Sequence, residues 1–444
     1  MCRQSMAAGI ALVLSLGMLW APAARAQGLI RDAEIEHALR QLVAPVATAA
    51  GFSASQLRVM VINDASLNAF VIDGRTIFVH SGLLLKLDSA EQVQGVLAHE
   101  MAHIANGHIT RRMANLRGAQ SAAGMGLLMS AALALSGNPQ AAAGVAAGSS
   151  SSAQRLFFAH TRAEEASADQ AGVRYMARAG LDPAAMVDVL EIFRGQEALS
   201  PGRQDPYVRT HPLTQDRLRA MRGFAAAYGG TAQKDPAAEY WFDRAQGKLG
   251  AFMQNPSYTL RRIKPSDTSD SALMRRAIAY HRKPDAKAAL REINTLAARR
   301  PSDGYIEELR GQILLESRDF GGAVRSYQRA VQLAPNEPLI QAGYGRALLA
   351  LDTADGTRRA LSVLEQARAR DPFDPRLLRD LAVAYARQGN NGMASLATAE
   401  RYAVQGRFRD AAVHAERAAG LLPHGSSGAL RAQDVLHTAR AATQ

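Results

Sequence analysis

Val96–His108 reads VLAHEMAHIANGH and sets His99 and His103 four residues apart around Glu100. From Ser89 to about Asn106 the pattern is helical, with apolar residues at Val93, Val96, Leu97 and Met101. Ser89 fits as N-cap, with Gln92 three residues later completing a capping box. Residues four apart on a helix share a face, so the two imidazoles can reach one metal ion from the same side. Glu100 points about a quarter-turn round, too far to be an obvious ligand yet close enough to touch a water on that ion. H-E-x-x-H on a helix therefore reads as a zinc hydrolase site that carries its own base.

A catalytic zinc keeps three protein ligands and an open position, so a third ligand must come from elsewhere. His108 follows His103 by five residues with Gly107 directly before it. The metzincin pattern needs six with a glycine midway, and His108 is expected to be a helix-end or surface histidine. HTRAEEASADQAG (His160–Gly172) offers a better source. Glu165 and Asp169 are four apart on a second helical stretch, Thr161 to about Ala179, so a ligand carboxylate could be braced by another one turn on. Alone, such a pair suits solvated charge equally well.

Around this pair of helices the chain divides. At 444 residues it is long enough for two or three domains. Lys and Arg total 52 against 40 Asp and Glu, but the charges are interspersed. There is no Lys/Arg block or aromatic-rich basic strip, which points away from nucleic acid. A basic surface still suits anionic membrane surfaces or acidic clients. MCRQSMAAGIALVLSLGMLWAPAARAQ has a basic start, an apolar stretch from Met6 to about Trp20, and Ala24-Arg25-Ala26 before Gln27, which is a cleavable secretory signal. The only cysteine, Cys2, would leave with it, and a bacterial periplasm fits best.

After a helical pattern from Gln27 to about Gly51, LRVMVIND and RTIFVHSG read as strands, and Asp73-Gly74 marks a hairpin. RTIFVHS is expected at a sheet edge, where it could pair with an extended substrate. His80 within it is expected to line the cleft or face solvent. No charged residue occurs between Arg117 and Arg155. Residues 118–154 read either as a loop with one buried helix, or as a lid or membrane-dipping patch that gives peripheral membrane contact.

The last 170 residues or so repeat. Pro301 and Pro335 are 34 apart, as are Gly311 and Gly345. Gly311, Ala323, Tyr327 and Ala330 fall where a helix-turn-helix repeat of about 34 residues needs small or aromatic packing residues. Gly345, Ala360 and Ala367 repeat the pattern with a three-residue insertion, and Tyr402, Gly406, Ala411 and Ala418 repeat it again. A weaker unit spans roughly 270–301, and the spacing from Pro372 to Pro423 is irregular. This is a tetratricopeptide (TPR) array, whose concave face usually takes peptides or partners. The expected fold class is α+β: a mainly helical zincin-type metalloprotease domain with a small β-sheet, then an all-α TPR array. The expected layout is signal peptide 1–26, metallopeptidase 27–230, helical linker 231–268 and TPR repeats 269–444.

Four stretches, NAFVIDGRTIFVHSGLL (68–84), VLAHEMAHIANGH, TRAEEASADQAG (161–172) and RTHPLTQDR (209–217), carry a family resemblance. They resemble the HtpX/CAAX-protease superfamily of zinc metallopeptidases, and with the signal and repeats the BepA (YfgC)-like periplasmic branch. The resemblance covers nearly the whole chain. It implies a gluzincin-type endopeptidase with one zinc per chain held by His99, His103 and Glu165, with Glu100 as base and Asp169 orienting His99 or His103. Ser167 departs from the second Glu of many relatives. The resemblance carries to His211 an extra, inhibitory zinc bond; the alternative role is a hydrogen bond to the tetrahedral intermediate, with Arg217 as a second candidate there. It implies unfolded or misassembled substrates and the outer-membrane β-barrel assembly machinery as partner through the TPR array. A different class of reading makes the chain an ATP-independent chaperone or adaptor with a latent or accessory protease domain.

Overall fold

The computed structural model describes residues 28–111, 161–200, 203–229 and 234–443. The expected signal peptide and the uncharged 118–154 stretch lie outside these residues. No described helix is long and apolar enough to cross a membrane.

The described chain opens with strand β1 (Leu29–Ile30) and helix α1 (Ala33–Ala49). The helical pattern expected from Gln27 thus begins only after Asp32, whose carboxylate caps the amides of Glu34 and Ile35. Strands β2 (Arg58–Ile62), β3 (Ala69–Val71) and β4 (Thr76–His80) follow, and lead into α2 (Ser81–Lys86) and α3 (Ala90–Ala105). The sheet order is β1-β2-β4-β3, with β2 and β4 parallel and both outer pairs antiparallel. The hairpin at Asp73-Gly74 joins β3 to β4, and Asp73 accepts from the amides of Arg75 and Thr76. The expected edge position of RTIFVHS is wrong: β4 is internal, and β3 forms the edge beside it. The sequence run could not reveal this, because β4 returns to insert between β3 and β2.

Both sheet faces are apolar. Val59, Val61, Ile77 and Val79 join the main core beneath α1 and α3, and Met60, Ile62 and Phe78 form a cluster on the other side. The Ser89 hydroxyl caps the amide of Gln92 as expected, but the Gln92 side chain accepts from Asp88 instead of Ser89, so the box is not closed.

Beyond the undescribed segment come α4 (Arg162–Arg178), α5 (Ala184–Ile192), α6 (Pro206–Thr210), α7 (Gln215–Tyr228), α8 (Pro236–Met253) and α9 (Pro256–Arg262). Helix α4 starts with a full capping box between Thr161 and Glu164. Helix α8 serves two cores. Phe242, Ala245 and Leu249 complete the first, and Ala251 packs with the helices that follow.

Ten helices finish the chain: α10 (Asp270–Arg282), α11 (Ala286–Arg299), α12 (Gly304–Glu316), α13 (Phe320–Leu333), α14 (Pro338–Ala350), α15 (Ala354–Arg370), α16 (Pro375–Arg387), α17 (Asn391–Val404), α18 (Phe408–Leu421) and α19 (Ser427–Ala441). The TPR packing positions are buried. A Cβ on Gly311 would sit 2.7 Å from the ring of Tyr327, so only glycine lets α12 lie on α13 there. The three-residue insertion lengthens α15 to 17 residues, against 14 in α13. The irregular stretch between Pro372 and Pro423 holds three helices, α16 to α18, where a regular unit holds two.

Candidate metal centre

Helix α3 is buried along nearly its whole length. Val93, Val96, Leu97 and Met101 face the core, while His99, Glu100 and His103 face a cleft against α4. Gly172 sits where α4 lies against α3. A Cβ there would lie 3.4 Å from the His99 backbone nitrogen and 2.7 Å from the Met186 side chain. With that approach, Glu165 and Asp169 reach α3 one turn apart.

Four donors converge. His99 Nε2 lies 3.1 Å from His103 Nε2 and 3.3 Å from His211 Nδ1. Glu165 Oε1 lies 3.1 Å from His211 Nδ1 and 3.4 Å from His103 Nε2. One ligand atom from each of His99, His103, Glu165 and His211 lies within 4.8 Å of all the others, and all four residues are buried. Tetrahedral zinc with bonds of about 2.0–2.1 Å separates its donors by about 3.3 Å, and the four contacts above, at 3.1–3.4 Å, are of that size. Three imidazoles and a carboxylate are also the donor types that zinc prefers.

The residues behind the donors set their orientation. Asp169 Oδ1 lies 3.0 Å from His99 Nδ1, which leaves Nε2 to face the cluster. Of the two histidines that Asp169 could orient, the structure brings it to His99. Arg217 clamps both carboxylates of α4, at 2.6 Å to Glu165 and at 2.6 and 2.9 Å to Asp169, and lies 3.4 Å from the His211 carbonyl. Arg217, offered with His211 as one of two groups that would bond the tetrahedral intermediate, holds its guanidinium on Glu165 and Asp169.

His108 overturns the expectation of a surface residue. It is buried, and its Nδ1 sits 2.9 Å from Nδ1 of His103. The spacing correctly left His108 out of the donor set, and it is buried because α3 ends at Ala105 and Gly107, with φ +67°, redirects the chain. His80 does not face solvent. It is buried, with Nδ1 3.0 Å from the Ser66 hydroxyl. Ser167 bonds Asn106 at the rim.

The electrostatics are sharply divided. Burial disfavours charge on His99, but the bonds to Asp169 and Glu165 overcome it and raise its pKa to about 10. Burial wins at His103 and lowers it to about 3. Burial would raise Glu165, yet Arg217 and His211 hold it well below the usual carboxylate range. Glu100 is pushed up by burial, and neither of its oxygens has a hydrogen-bond partner. A buried carboxylate that makes no hydrogen bond, with His211 Nε2 3.4 Å away as its polar neighbour, is costly to keep, which marks a group kept for chemistry and not for packing.

His211 deserves its own geometry. Its Nδ1 joins the donors, and its Nε2 lies 3.2 Å from the Ala69 carbonyl and 3.4 Å from Glu100. His80 donates its amide to the Asn68 carbonyl and Phe70 pairs with Phe78, so the alternation leaves Leu67, Ala69 and Val71 turned toward the free edge of β3. The Tyr207 amide takes the Leu67 carbonyl at 3.1 Å. The segment from α6 to His211 thus covers the strand edge and supplies the fourth donor at once.

The profile of Peptidase family M48 matches residues 33–225, which contain every one of these groups. Residues 33–225 belong to peptidase family M48. The M48 domain is a metallopeptidase domain, and the family implies a metal that the four donors fit. Across a longer span the chain is 26% identical to the Beta-barrel assembly-enhancing protease of Escherichia coli (strain K12), covering 79% of this chain and 72% of the relative. It is 32% identical to the Putative beta-barrel assembly-enhancing protease of Vibrio cholerae, over 38% of this chain and 34% of the relative. Metalloprotease LoiP of Escherichia coli (strain K12) is 28% identical over 45% of this chain and 75% of its own. Among solved structures, YrrB, titled a TPR protein with an unusual peptide-binding site, covers 40% of this chain and 89% of its own at 18% identity and TM-score 0.32. MamA covers 38% of this chain and 94% of its own at 16% identity and TM-score 0.29.

Proposed function

We propose that this chain is a periplasmic zinc endopeptidase, latent at rest, that cuts misfolded or stalled envelope proteins in outer-membrane protein quality control. The layout proposed is a signal at 1–26, the peptidase at 27–230, a helical linker at 231–268 and a partner-binding TPR array at 269–444. The single observation that carries the reading is the buried cluster of His99, His103, Glu165 and His211 beside a buried Glu100 that makes no hydrogen bond. The names of the relatives support the link to β-barrel assembly, and hence to that machinery as partner of the TPR face.

Zinc, when bound, supplies a Lewis acid that acidifies water and polarises a peptide carbonyl. The chain's own residues do the rest. His99, His103 and Glu165 hold the ion, with Asp169 fixing the His99 ring. The free edge of β3 pairs with the backbone of an extended substrate and so accepts many sequences. The raised pKa of Glu100 brings it nearer working pH, as suits a base that takes a proton from the attacking water and returns it to the leaving amine. For a peptide to enter, His211 must leave. It occupies both the fourth donor position and the Ala69 carbonyl that a substrate strand would use.

That same closure favours a second reading, a chaperone or adaptor whose protease is rarely opened. Zinc content and degradation of an unfolded protein distinguish the two in wild type, Glu100→Gln and His211→Ala. His211→Ala is expected to raise activity, and Glu100→Gln to lower it by about 10²–10⁴-fold with zinc retained. Loss of activity in His211→Ala would move that residue to the transition state. Absence of zinc and of cleavage in every variant would sink the protease reading.

A further inference from the structure

The positive charge of the chain is not spread evenly. Residues 256–287 hold eight Lys and Arg against three Asp, so this short stretch carries +5 of the chain's formal +12. It comprises α9, α10 and the start of α11. Six of its cations are exposed: Arg261, Arg262, Lys264, Arg282, Lys283 and Lys287. None of the six pairs with a carboxylate among the described residues, and the three acids are engaged elsewhere. Asp270 holds Arg299 and Arg300, while Asp267 and Asp285 accept from the amides of Ser269 and Ala288.

These cations gather around α9. Thr259 and Ile263 are buried, while Tyr258, Arg261 and Arg262 stand on the exposed side of the helix, with the Arg262 guanidinium 5.7 Å from the centre of the Tyr258 ring. Arg282 Nη1 donates to the carbonyls of Ala251, at 3.0 Å, and of Gln254, which ties the end of α10 to the start of α9. Lys283 follows Arg282 directly, and Lys264 lies just past the other end of α9. A helix of seven residues spans about 10 Å. That is close to the screening length at about 0.1 M salt, so the charges act together on a neighbouring surface. Met253 and Tyr258 are exposed among them. None of the six cations lines the cavity of about 850 Å³ between β1 and the repeat helices. They stand on the outside of the fold.

We propose that this face docks on an anionic phospholipid surface. Unpaired cations with a tyrosine and a methionine among them combine attraction to headgroups with shallow apolar insertion, and a tyrosine ring suits the boundary between headgroups and chains. A fluid sheet of anionic headgroups meets all six cations at once, where a rigid acidic protein needs a surface of matching shape. The patch adjoins the end of α8, the helix that serves both cores. One docking face therefore holds the M48 domain and the repeats at the bilayer together. The inference goes beyond the peptidase reading and needs neither zinc nor cleavage.

The experiment floats the full-length protein with vesicles of equal parts phosphatidylglycerol and phosphatidylcholine, and with vesicles of phosphatidylcholine alone. Binding is expected to the first only, weakening as salt rises. Each cation near such a surface strengthens association about fivefold, so a variant carrying Arg261→Gln, Arg262→Gln, Lys264→Gln and Lys283→Gln should bind about 100-fold more weakly or worse. A control carrying Arg325→Gln, Arg329→Gln, Arg409→Gln and Arg417→Gln loses the same charge from exposed positions on other repeat helices. It should bind within about fivefold of wild type. Thermal melting checks the fold of each. If the first variant melts early, Lys264→Gln with Lys283→Gln, both just past helix ends, reads the same loss at about 25-fold. Equal losses in the patch and control variants would reduce the effect to net charge and overturn the proposal. So would a wild type that ignores anionic vesicles, and binding to polyglutamate in that case would assign the face to an acidic protein instead.

Discussion

His103 is held from both sides of its ring, by the donor cluster at Nε2 and by His108 at Nδ1. The second contact orients the first, since a ring that hydrogen-bonds through one nitrogen presents the other in a fixed direction. His108→Ala is therefore expected to weaken zinc affinity by about 10–100-fold, read by competition with a chromogenic chelator. Wild-type affinity in that variant would reduce His108 to a packing residue. Asp169 has the matching position behind His99, but Arg217 also holds it, so the two braces differ in kind. A carboxylate brace was legible from its four-residue spacing to Glu165. A histidine brace beyond the end of a helix was not, because a glycine with positive φ breaks the periodicity on which spacing arguments rest.

At the scale of elements, the site depends on how closely α4 lies on α3. At Gly172 a Cβ would meet the His99 backbone nitrogen at 3.4 Å and the Met186 side-chain tip at 2.7 Å, so a β-branched side chain there has to push the methionine or the helix. Gly172→Val is expected to cost about 1–3 kcal/mol through overpacking. It should also lower zinc occupancy, because Glu165 and Asp169 ride on the displaced helix. Thermal melting and metal analysis of the purified variant check both, and full zinc occupancy with unchanged melting would refute the account. The sheet makes a similar point. Alternation and turn residues identify three strands from sequence, yet they do not say which strand is the edge. That answer depends on β2 and β4 pairing in parallel across the hairpin.

Across the whole molecule, the M48 domain and the repeat helices are joined by buried charge. Lys248 on α8 lies 3.0 Å from Asp32, 3.2 Å from Glu34 and 3.3 Å from Glu308 on α12. Arg244 bridges Glu34 to Asp303, and Arg31 bridges Glu36 to Asp371. One ammonium shared among three carboxylates cannot satisfy them all. Burial, with Asp32 and Glu34 against Lys248, raises Glu308 to about 7. The unfolded carboxyl titrates near about 4.3, so between those values the folded chain holds a proton that the unfolded chain has lost. Stability from this group is thus present at the acid end of the window and falls as pH rises through 7. Glu308→Gln should flatten that part of the melting-temperature profile relative to wild type. Parallel profiles for the two proteins would show that Glu308 is already ionised in the fold.

The division between what was legible and what was not follows the range of the forces involved. The sequence by itself determined three of the four strands, the long helices that carry the motifs, the repeat period and the face shared by His99 and His103. Each depends on backbone geometry and contacts within a few residues. The resemblance then supplied Glu165, Asp169 and His211 as expectations. Only the tertiary structure decided that these groups meet, that His108 and Arg217 brace them, and that the α6 segment closes β3. Glu165 lies on another helix and His211 in a loop after α6, brought in by close packing at Gly172 and by carbonyls on a strand edge. Those contacts form between segments far apart in the chain, and no local pattern encodes the distance between two packed surfaces.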